Sequence, residues 1–204
     1  MHFFKASDIS SLEKKKLLNG SVIPRPIALI VTQDRGIVNI APFSYFNIVS
    51  NDPPIVSVAI QRNHGQMKDT ARNILKTQEA TLHIVSELNV EEANKTSASL
   101  NPDQSELGHT SLSLLDSRLV KTPSVKEASV RYELILHQHI EVKNQEANSV
   151  ADLILLEVVA IHIDEAVYDS DKGYIITDQL KAVSRLAGSD YAKIGQEFSL
   201  KRPN

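Results

Sequence analysis

The segment GIVNIAPFSYFNIVSNDPP, residues 36–54, mixes strand-forming residues with residues that paired strands usually exclude. Isoleucine, valine and the aromatic residues favour strands, whereas Asn39, Pro42 and Ser44 are disfavoured inside one. We therefore expect a kinked connection across residues 39–47 whose unpaired backbone N–H and C=O groups can bind the polar edge of a planar ring. A β-bulge that binds no ligand is the alternative.

Strands are predicted on both sides of this segment. The stretches 27–33, 54–60 and 79–85 are rich in β-branched residues, and 130–142 and 152–168 are long enough to form bulged strands. A capping box at Ser10 and Glu13 predicts a short N-terminal helix, and two more helices are expected at 67–77 and 89–100. Asp69 or Thr70 is the expected cap of the first of these two.

The order of these elements favours one fold class. Strands and helices do not alternate strictly, as they would in a doubly wound parallel sheet. We therefore expect a mainly β protein, an antiparallel barrel with peripheral α-helices, in one domain over residues 1–204. Residues 101–128 are rich in Ser, Pro, Asp and Gly, and we interpret them as a surface excursion.

The composition excludes several classes of function. Without cysteine, the chain can form no disulfide, thiolate metal site or cysteine nucleophile. Twenty-two basic and 25 acidic residues are intermixed, with a net charge of −3, which argues against nucleic acid and anionic membranes as partners. The start MHFFKASDIS lacks the apolar run of a signal peptide, and residues 153–163 are too short to span a membrane. A cytoplasmic protein is expected.

Two short motifs are candidates for binding phosphate. The seven glycines form neither a GxGxxG fingerprint nor a phosphate loop. Lys68, Asp69 and Thr70 open a predicted helix, where an ammonium, a hydroxyl and free N–H groups favour an anion. Arg25 lies between two prolines that restrict its loop. In the alternative, Lys68 is a solvated residue at an ordinary helix start and Arg25 faces solvent.

The histidines indicate no metal centre. His137 and His139 are two residues apart on a predicted strand and share a face, but no third ligand is apparent, so we expect no metal site. His83 and His162 are interpreted as strand residues with local partners.

Four stretches together resemble the flavin reductase-like family with the FMN-binding split-barrel fold. They are GSVIPRPIALIVTQDRGIVNIAPFSYFNIVSNDPP (20–54), MKDTARNI (67–74), LLEVVAIHIDEAV (155–167) and SRLAGSDYAKIGQEFSLKRP (184–203). The resemblance implies an antiparallel, Greek-key-like split β-barrel with peripheral helices. The FMN contacts that it implies are Asn39, Ala41, Pro42, Ser44 and Phe46 around the ring and phosphate, and Arg25, Thr32, Lys68, Asp69 and Thr70 around the phosphate and ribityl group. Ala187 departs from the family, which often has a second glycine there.

The resemblance also implies an assembly and a reaction. It implies a homodimer with flavin near the subunit interface, to which Arg185 and Tyr191 contribute. The function implied is an FMN-binding, NAD(P)H-dependent flavin reductase that supplies reduced flavin to a partner monooxygenase. The cofactor performs the redox step, so no catalytic side chain is named. Residues 101–128 and the tail near Arg185 are the expected walls of the nicotinamide opening.

Three functions stay open at this point. The alternatives to a reductase are an FMN electron carrier that docks a redox protein without NAD(P)H, and a split-barrel protein whose ligand is not a flavin. FMN is favoured over FAD because one phosphate-binding cluster is apparent. The sequence contains no Rossmann acidic residue or arginine from which a preference for NADH or NADPH could be inferred.

Overall fold

Antiparallel strands are the main regular structure of the protein, which we describe from a computed structural model over residues 1–98, 100–101 and 103–203. The helices are α1 (Ser11–Ser21), α2 (Asp69–Thr77), α3 (Val90–Lys95) and α4 (Thr177–Leu180), and two 3-10 turns span Glu106–His109 and Glu165–Val167. The strands are β1 (Arg25–Pro26), β2 (Ala28–Asp34), β3 (Ile37–Phe43), β4 (Phe46–Asn51), β5 (Pro54–Gln61), β6 (Glu79–Ile84), β7 (Leu114–Leu115), β8 (Ser124–Val125), β9 (Val130–Lys143), β10 (Ser149–Ile163), β11 (Tyr168–Asp169), β12 (Tyr174–Ile175), β13 (Val183–Arg185) and β14 (Tyr191–Lys193).

The main sheet begins and ends on strands that follow each other in the chain. Its order is β3-β2-β6-β9-β10-β5-β4, and every pairing is antiparallel. Ser44 and Tyr45 alone separate the two edge strands, so the sheet curls until its edges meet there. No ladder joins β3 to β4 within the described residues, and we call this line of meeting the split. The expected fold class, an antiparallel split barrel with peripheral helices, is confirmed.

The segment 36–54 is a pair of edge strands, so the kinked connection expected across residues 39–47 is wrong, and so is the alternative of a β-bulge there. β3 pairs with β2 without interruption, from Ala28 opposite Phe43 to Asp34 opposite Ile37. The Ile40 N–H points away from β2, toward Glu106. Pro42 lies two residues further and faces the same way, so its missing N–H removes no bond from the ladder. The register shift in this region lies instead in β4, between Ile48 and Ser50.

Two clusters of buried side chains lie on the two faces of the sheet. The first fills the barrel, and α2 contributes Ala71 and Ile74 to it; the other members include Ile30, Val58, Leu82, Leu134 and Ile154. The second cluster lies on the opposite face, between the sheet and residues 101–128; it includes Leu29, Val31, Ile40, Leu112 and Val125. Because β2 is buried on both faces, it has the continuous apolar sequence that sequence analysis detected.

Residues 103–128 are a surface segment, as expected, and they pack against one face of the sheet, with Leu112 and Val125 in the second buried cluster. Carboxylates of the sheet bind backbone N–H groups of this segment. Glu133 accepts from Arg118, Leu119 and Val120 at 2.6–3.0 Å, and Glu79 accepts from Lys121 and Thr122. Burial raises the pKa of Glu133, but these N–H donors and His162 outweigh it, so the pKa lies below its ordinary value. Sequence patterns could not reveal these bonds, because they join residues distant in the chain.

Most of the other predicted elements are present with shifted ends. The capping box of Ser10 and Glu13 starts α1 as predicted. α2 is capped at Lys68, without a side-chain bond, rather than at Asp69 or Thr70. α3 ends at Lys95, so the helix expected over 89–100 is shorter. The long strands β9 and β10 are shifted in register at several points, as bulged strands are. Within the part of the chain described, no helix has the length and apolar character needed to cross a membrane.

His83 is fully buried between the sheet and β8. Its Nδ1 lies 2.9 Å from the Leu29 carbonyl oxygen, and its Nε2 lies 2.8 Å from the Val125 nitrogen. A backbone N–H can only donate, so Nε2 is unprotonated and the proton is on Nδ1. Burial lowers the pKa of His83 from 6.5 to about 4.

We expect the protein to lose stability as the pH falls from 6.5 to about 4. In this window His83 is protonated in the unfolded chain but not in the folded protein. The free energy of unfolding therefore decreases by up to about 1.4 kcal/mol per pH unit and by about 3 kcal/mol in total. Urea unfolding at several pH values measures the loss. Nitrogen NMR of the imidazole tests its cause: a His83 Nε2 signal that titrates near 6.5 would contradict the assignment.

Candidate functional site

Three cavities meet at Pro42, beside the split. The helix lobe, about 440 Å³, lies at the start of α2 and is lined by Asn39, Ala41, Lys68, Asp69, Thr70 and Glu106 among others. The basic lobe, about 240 Å³, is lined by Lys15, Arg25, Ser44, Lys68 and Arg185 among others. The tail lobe, about 190 Å³, is lined by Ile27, Ser44, Asn94, Ser97, Arg185 and Tyr191. We call the three together the cleft.

The start of α2 opens into the helix lobe without a side-chain cap. The N–H groups of a helix's first turn have no acceptor within the helix, and no side chain supplies one here. The Lys68 side chain is exposed, with its Nζ 5.9 Å from the Phe43 ring centroid. Among the described residues it forms no ion pair or hydrogen bond. The Asp69 carboxylate, in contrast, pairs with Arg72. The lobe thus presents a free cation and free donors.

Asn39 and Thr70 form the inner wall of this lobe. Both are buried, and the Asn39 Nδ2 donates to the Thr70 hydroxyl at 2.8 Å. Thr32 lies behind them with no exposed surface, and its hydroxyl accepts from Asn39 and Asn73. Thr32 therefore presents no surface to the helix lobe, and its contact with the phosphate and ribityl group stays a prediction. It supports Asn39 from behind.

Glu106 is a lining residue of the helix lobe that sequence analysis did not identify. It is 7% exposed, and its Oε2 accepts the Ile40 N–H at 2.9 Å. Burial raises the pKa of Glu106 above its ordinary value; the Ile40 N–H opposes this shift, and the Asp69 carboxylate adds to it. Glu106 fixes the edge strand to the packed segment 101–128. No local motif marks it, because its partner lies 66 residues away.

Arg25 lines the basic lobe but has a structural role. Its guanidinium donates to the carbonyls of Asn19, Val22 and Leu186, each at 2.7 Å. It is 7% exposed, and its Nε is buried without a partner. The alternative that Arg25 faces solvent is therefore wrong. Arg25 connects α1, the first strand and the C-terminal tail at one side of the cleft.

Arg185 and Tyr191 lie together on the C-terminal hairpin. The Arg185 guanidinium carbon is 4.4 Å from the Tyr191 ring centroid, and its Nη2 donates to the Gly188 carbonyl. β13 pairs with β1, which brings this hairpin to the cleft. Ala187 lies in the turn beside Gly188, where the positive φ of 57° falls on Gly188. The glycine that the left-handed turn requires is therefore present despite Ala187.

Phe46 does not line the cleft. It is buried at the start of β4 and contributes to a separate apolar groove of about 290 Å³, together with Ile48, Ile55, Tyr132, Val158 and Ile161. Phe46 thus lies outside the cleft, and its contact with the cofactor stays a prediction. Its neighbours Ala41, Pro42 and Ser44 do line the cleft.

The four strand histidines, His83 included, have carboxylate or backbone partners. His139 lies 2.9 Å from Asp152, and His162 lies 2.6 Å from Glu133. His137 is 3.9 Å from Glu157. Residues 1–98, 100–101 and 103–203 contain no group of three or more side chains arranged to hold a metal ion.

The chain is similar in sequence and structure to several known proteins. Protein YwrF of Bacillus subtilis (strain 168) is 49% identical over 205 residues, covering all of both chains. The nitrilotriacetate monooxygenase component B of Bacillus cereus is 39% identical, with a TM-score of 0.95 over 98% of each chain. Flavoredoxin of Desulfovibrio vulgaris (Miyazaki F) shares the fold: its TM-score is 0.76 at 22% identity, over 88% of this chain and 91% of that one.

The fold and these relatives define the class of split-barrel flavoproteins. The family model for the flavin reductase like domain matches residues 20–179. The chain therefore belongs to the flavin reductase-like family, and the resemblance seen in its sequence is confirmed.

Proposed function

We propose that the protein is an FMN-binding, NAD(P)H-dependent flavin reductase that supplies reduced flavin to a partner monooxygenase. One observation carries the proposal: in a flavin reductase-like chain, the uncapped start of α2 and an exposed Lys68 without a counter-ion face a cavity of about 440 Å³. The monooxygenase partner is suggested by the likeness to a monooxygenase component B. An FMN electron carrier that docks a redox protein is the alternative outcome of the tests below.

The helix lobe fits the phosphate of FMN. Free first-turn N–H groups and the positive end of the helix dipole favour an anion at this position. Lys68 and the Thr70 hydroxyl flank the same helix start. A phosphate there gains a charge-assisted bond from Lys68. No existing ion pair has to break for it, because Lys68 has no carboxylate partner in the described chain.

The remaining polar groups suit the uncharged parts of FMN. The Asp69 carboxylate accepts hydrogen bonds, which suits a ribityl hydroxyl rather than a phosphate, and its pairing with Arg72 limits repulsion of the anion. Pro42 lies on the edge strand, and its C=O faces outward, on the same side as the Ile40 N–H. This carbonyl is an acceptor for the N–H edge of a flavin ring, whose flat face Pro42 and Ser44 would border.

The chain's own contribution is to bind and orient the cofactor. When bound, FMN would supply the redox chemistry: a hydride, which is two electrons and one proton, would come from NAD(P)H, leaving NAD(P)⁺, and the electrons would go on to an acceptor. Asn39, held by Thr32 from behind and bonded to Thr70, fixes the lobe wall. Glu106 fixes the edge strand. No side chain needs to act as an acid or base.

Replacing Lys68 with alanine should weaken FMN about 10- to 150-fold and leave riboflavin nearly unchanged. The lost charge-assisted bond is worth about 1.5–3 kcal/mol. Riboflavin has no phosphate, so it does not form this bond in either protein. Fluorescence titration with both flavins measures the difference. Lys126→Ala, an exposed lysine outside the cleft, is the matched control. Equal losses for the two flavins would contradict the phosphate contact.

NADH or NADPH should bleach the bound flavin under anaerobic conditions at a rate that saturates with reductant. Saturation is expected because the hydride donor must bind with its C4 about 3–3.5 Å from the flavin before transfer. Stopped-flow absorbance with each nucleotide makes the measurement, and dithionite serves as the control reductant. Bleaching by dithionite but by neither nucleotide would reject the reductase and favour the electron carrier.

We also propose that the protein is a homodimer in which a second copy covers the apolar groove at β4. β4 is an edge strand, and its Ile48 and Val49 are 69% and 52% exposed. The groove beside them is lined mainly by apolar side chains. A second copy of the chain would remove this surface from water and cover an edge that otherwise invites pairing. The strand β10 also leaves surface to cover: between residues 152 and 163 only Asp152, Ile154 and Leu156 are buried, and the others are half-buried or, like Ile161, exposed.

Light scattering should report about twice the 22.6 kDa of one chain. Ile48→Asp should lower that mass toward the monomer, because a charge in the covered groove would be desolvated without a partner. Leu119→Asp changes an equally exposed leucine, 66% against 69%, far from β4 and should leave the mass unchanged. A monomeric wild-type protein that binds FMN tightly would reject the dimer.

A further inference from the structure

The basic lobe gathers positive charge in a protein that is negative overall. Lys15, Arg25, Lys68 and Arg185 line it, and none of its described lining residues is acidic. The chain as a whole has a net charge of −3. The lobe is therefore a local concentration of cations that the composition does not suggest, and it attracts anions.

These four cations lack carboxylate partners, unlike many others in the chain. Arg25 and Arg185 donate to carbonyl oxygens, which are dipoles and leave the charge uncompensated. The side chains of Lys15 and Lys68 form no ion pair within the described residues. Elsewhere, by contrast, Arg62 is bonded to Asp152, and Lys76 and Lys193 each pair with a carboxylate.

We propose that the basic lobe binds the diphosphate of the nicotinamide dinucleotide, an inference that rests on the proposed reductase function. When Lys68 binds the FMN phosphate, Lys15, Arg25 and Arg185 remain uncompensated, and three cations match a doubly charged group better than a single carboxylate. Lysine and arginine are the usual side-chain partners of phosphates. A lobe of about 240 Å³ suits a compact charged group rather than a whole dinucleotide. It shares Pro42, Phe43 and Lys68 with the helix lobe, so the diphosphate lies beside the proposed FMN site.

Segments flanking the family-matched region complete this site. Lys15 lies on α1 and Arg185 on β13, both outside residues 20–179. Without a glycine-rich loop, side-chain cations take the place of the backbone N–H groups that bind diphosphates in Rossmann folds. Two of the lining cations, Arg25 and Lys68, therefore lie within the family-matched region, and the other two lie in the segments that flank it.

Calorimetric titration of the FMN-loaded protein with ADP-ribose tests the site without any reduction step. ADP-ribose contains the diphosphate but no nicotinamide. Lys15→Ala should weaken it about 5- to 20-fold, the lower part of the range for a charge-assisted bond, because Lys15 is exposed and screened. Lys15→Arg should retain most of the affinity. Lys16→Ala removes the neighbouring helix charge outside the lobe and should change the affinity less than about 2-fold.

The outcomes separate this site from the proposed function. Reduction by NADH or NADPH together with equal ADP-ribose affinity for wild type and Lys15→Ala would overturn the site alone. A loss of FMN affinity in Lys15→Ala, with riboflavin unchanged, would mean that the lobe holds the flavin phosphate and would also overturn it. Tighter binding of benzoate than of inorganic pyrophosphate would assign the lobe to a carboxylate instead. Selective weakening of ADP-ribose and pyrophosphate by Lys15→Ala supports the proposal.

Discussion

The cleft depends on one topological constraint: the two edges of the main sheet are consecutive strands. β3 and β4 are joined by Ser44 and Tyr45 alone, a link short enough for a hairpin, yet no ladder joins them within the described residues, so each leaves an unpaired edge beside the split. An edge strand tolerates Pro42 and keeps outward carbonyls unpaired. The start of α2 and the C-terminal hairpin border the same edge. The unpaired edge at the split is thus also the part of the sheet that borders the cleft.

Carboxylates of the sheet hold a largely polar segment against the far face of the sheet. Residues 101–128 have few apolar side chains, so apolar burial alone would hold them weakly. Glu133 and Glu79 compensate by accepting backbone N–H groups that would otherwise be buried without partners. Glu106 works in the opposite direction and binds the N–H of Ile40 in the edge strand. One face of the barrel is therefore held chiefly by apolar contacts, and the other by charge-assisted bonds as well.

The sequence predicted the elements whose causes are local and missed the features whose causes are distant. The capping box at Ser10 depends on neighbouring residues, so it was predictable. The regular strand around Pro42 was not predictable, because a proline indicates an interruption unless the strand is known to lie at the edge of a sheet. Burial of Thr32 and the presence of Glu106 in the cleft depend on partners far along the chain. Lys68 and Thr70 were predicted in the cleft because a helix start is a local feature.

The attachment of α1 has a consequence for local opening. None of its residues is buried, and the described bonds that hold it to the barrel come from Arg25 and Tyr45 and all reach its last turn or the residue after it. Its first turns therefore unfold at a cost far below that of the whole protein, and the barrel stays intact when they do. Lys15 lies on this loosely held part, whereas Arg25 is fixed between carbonyls. One wall of the basic lobe is rigid, and the other opens and closes on the time scale of helix fraying.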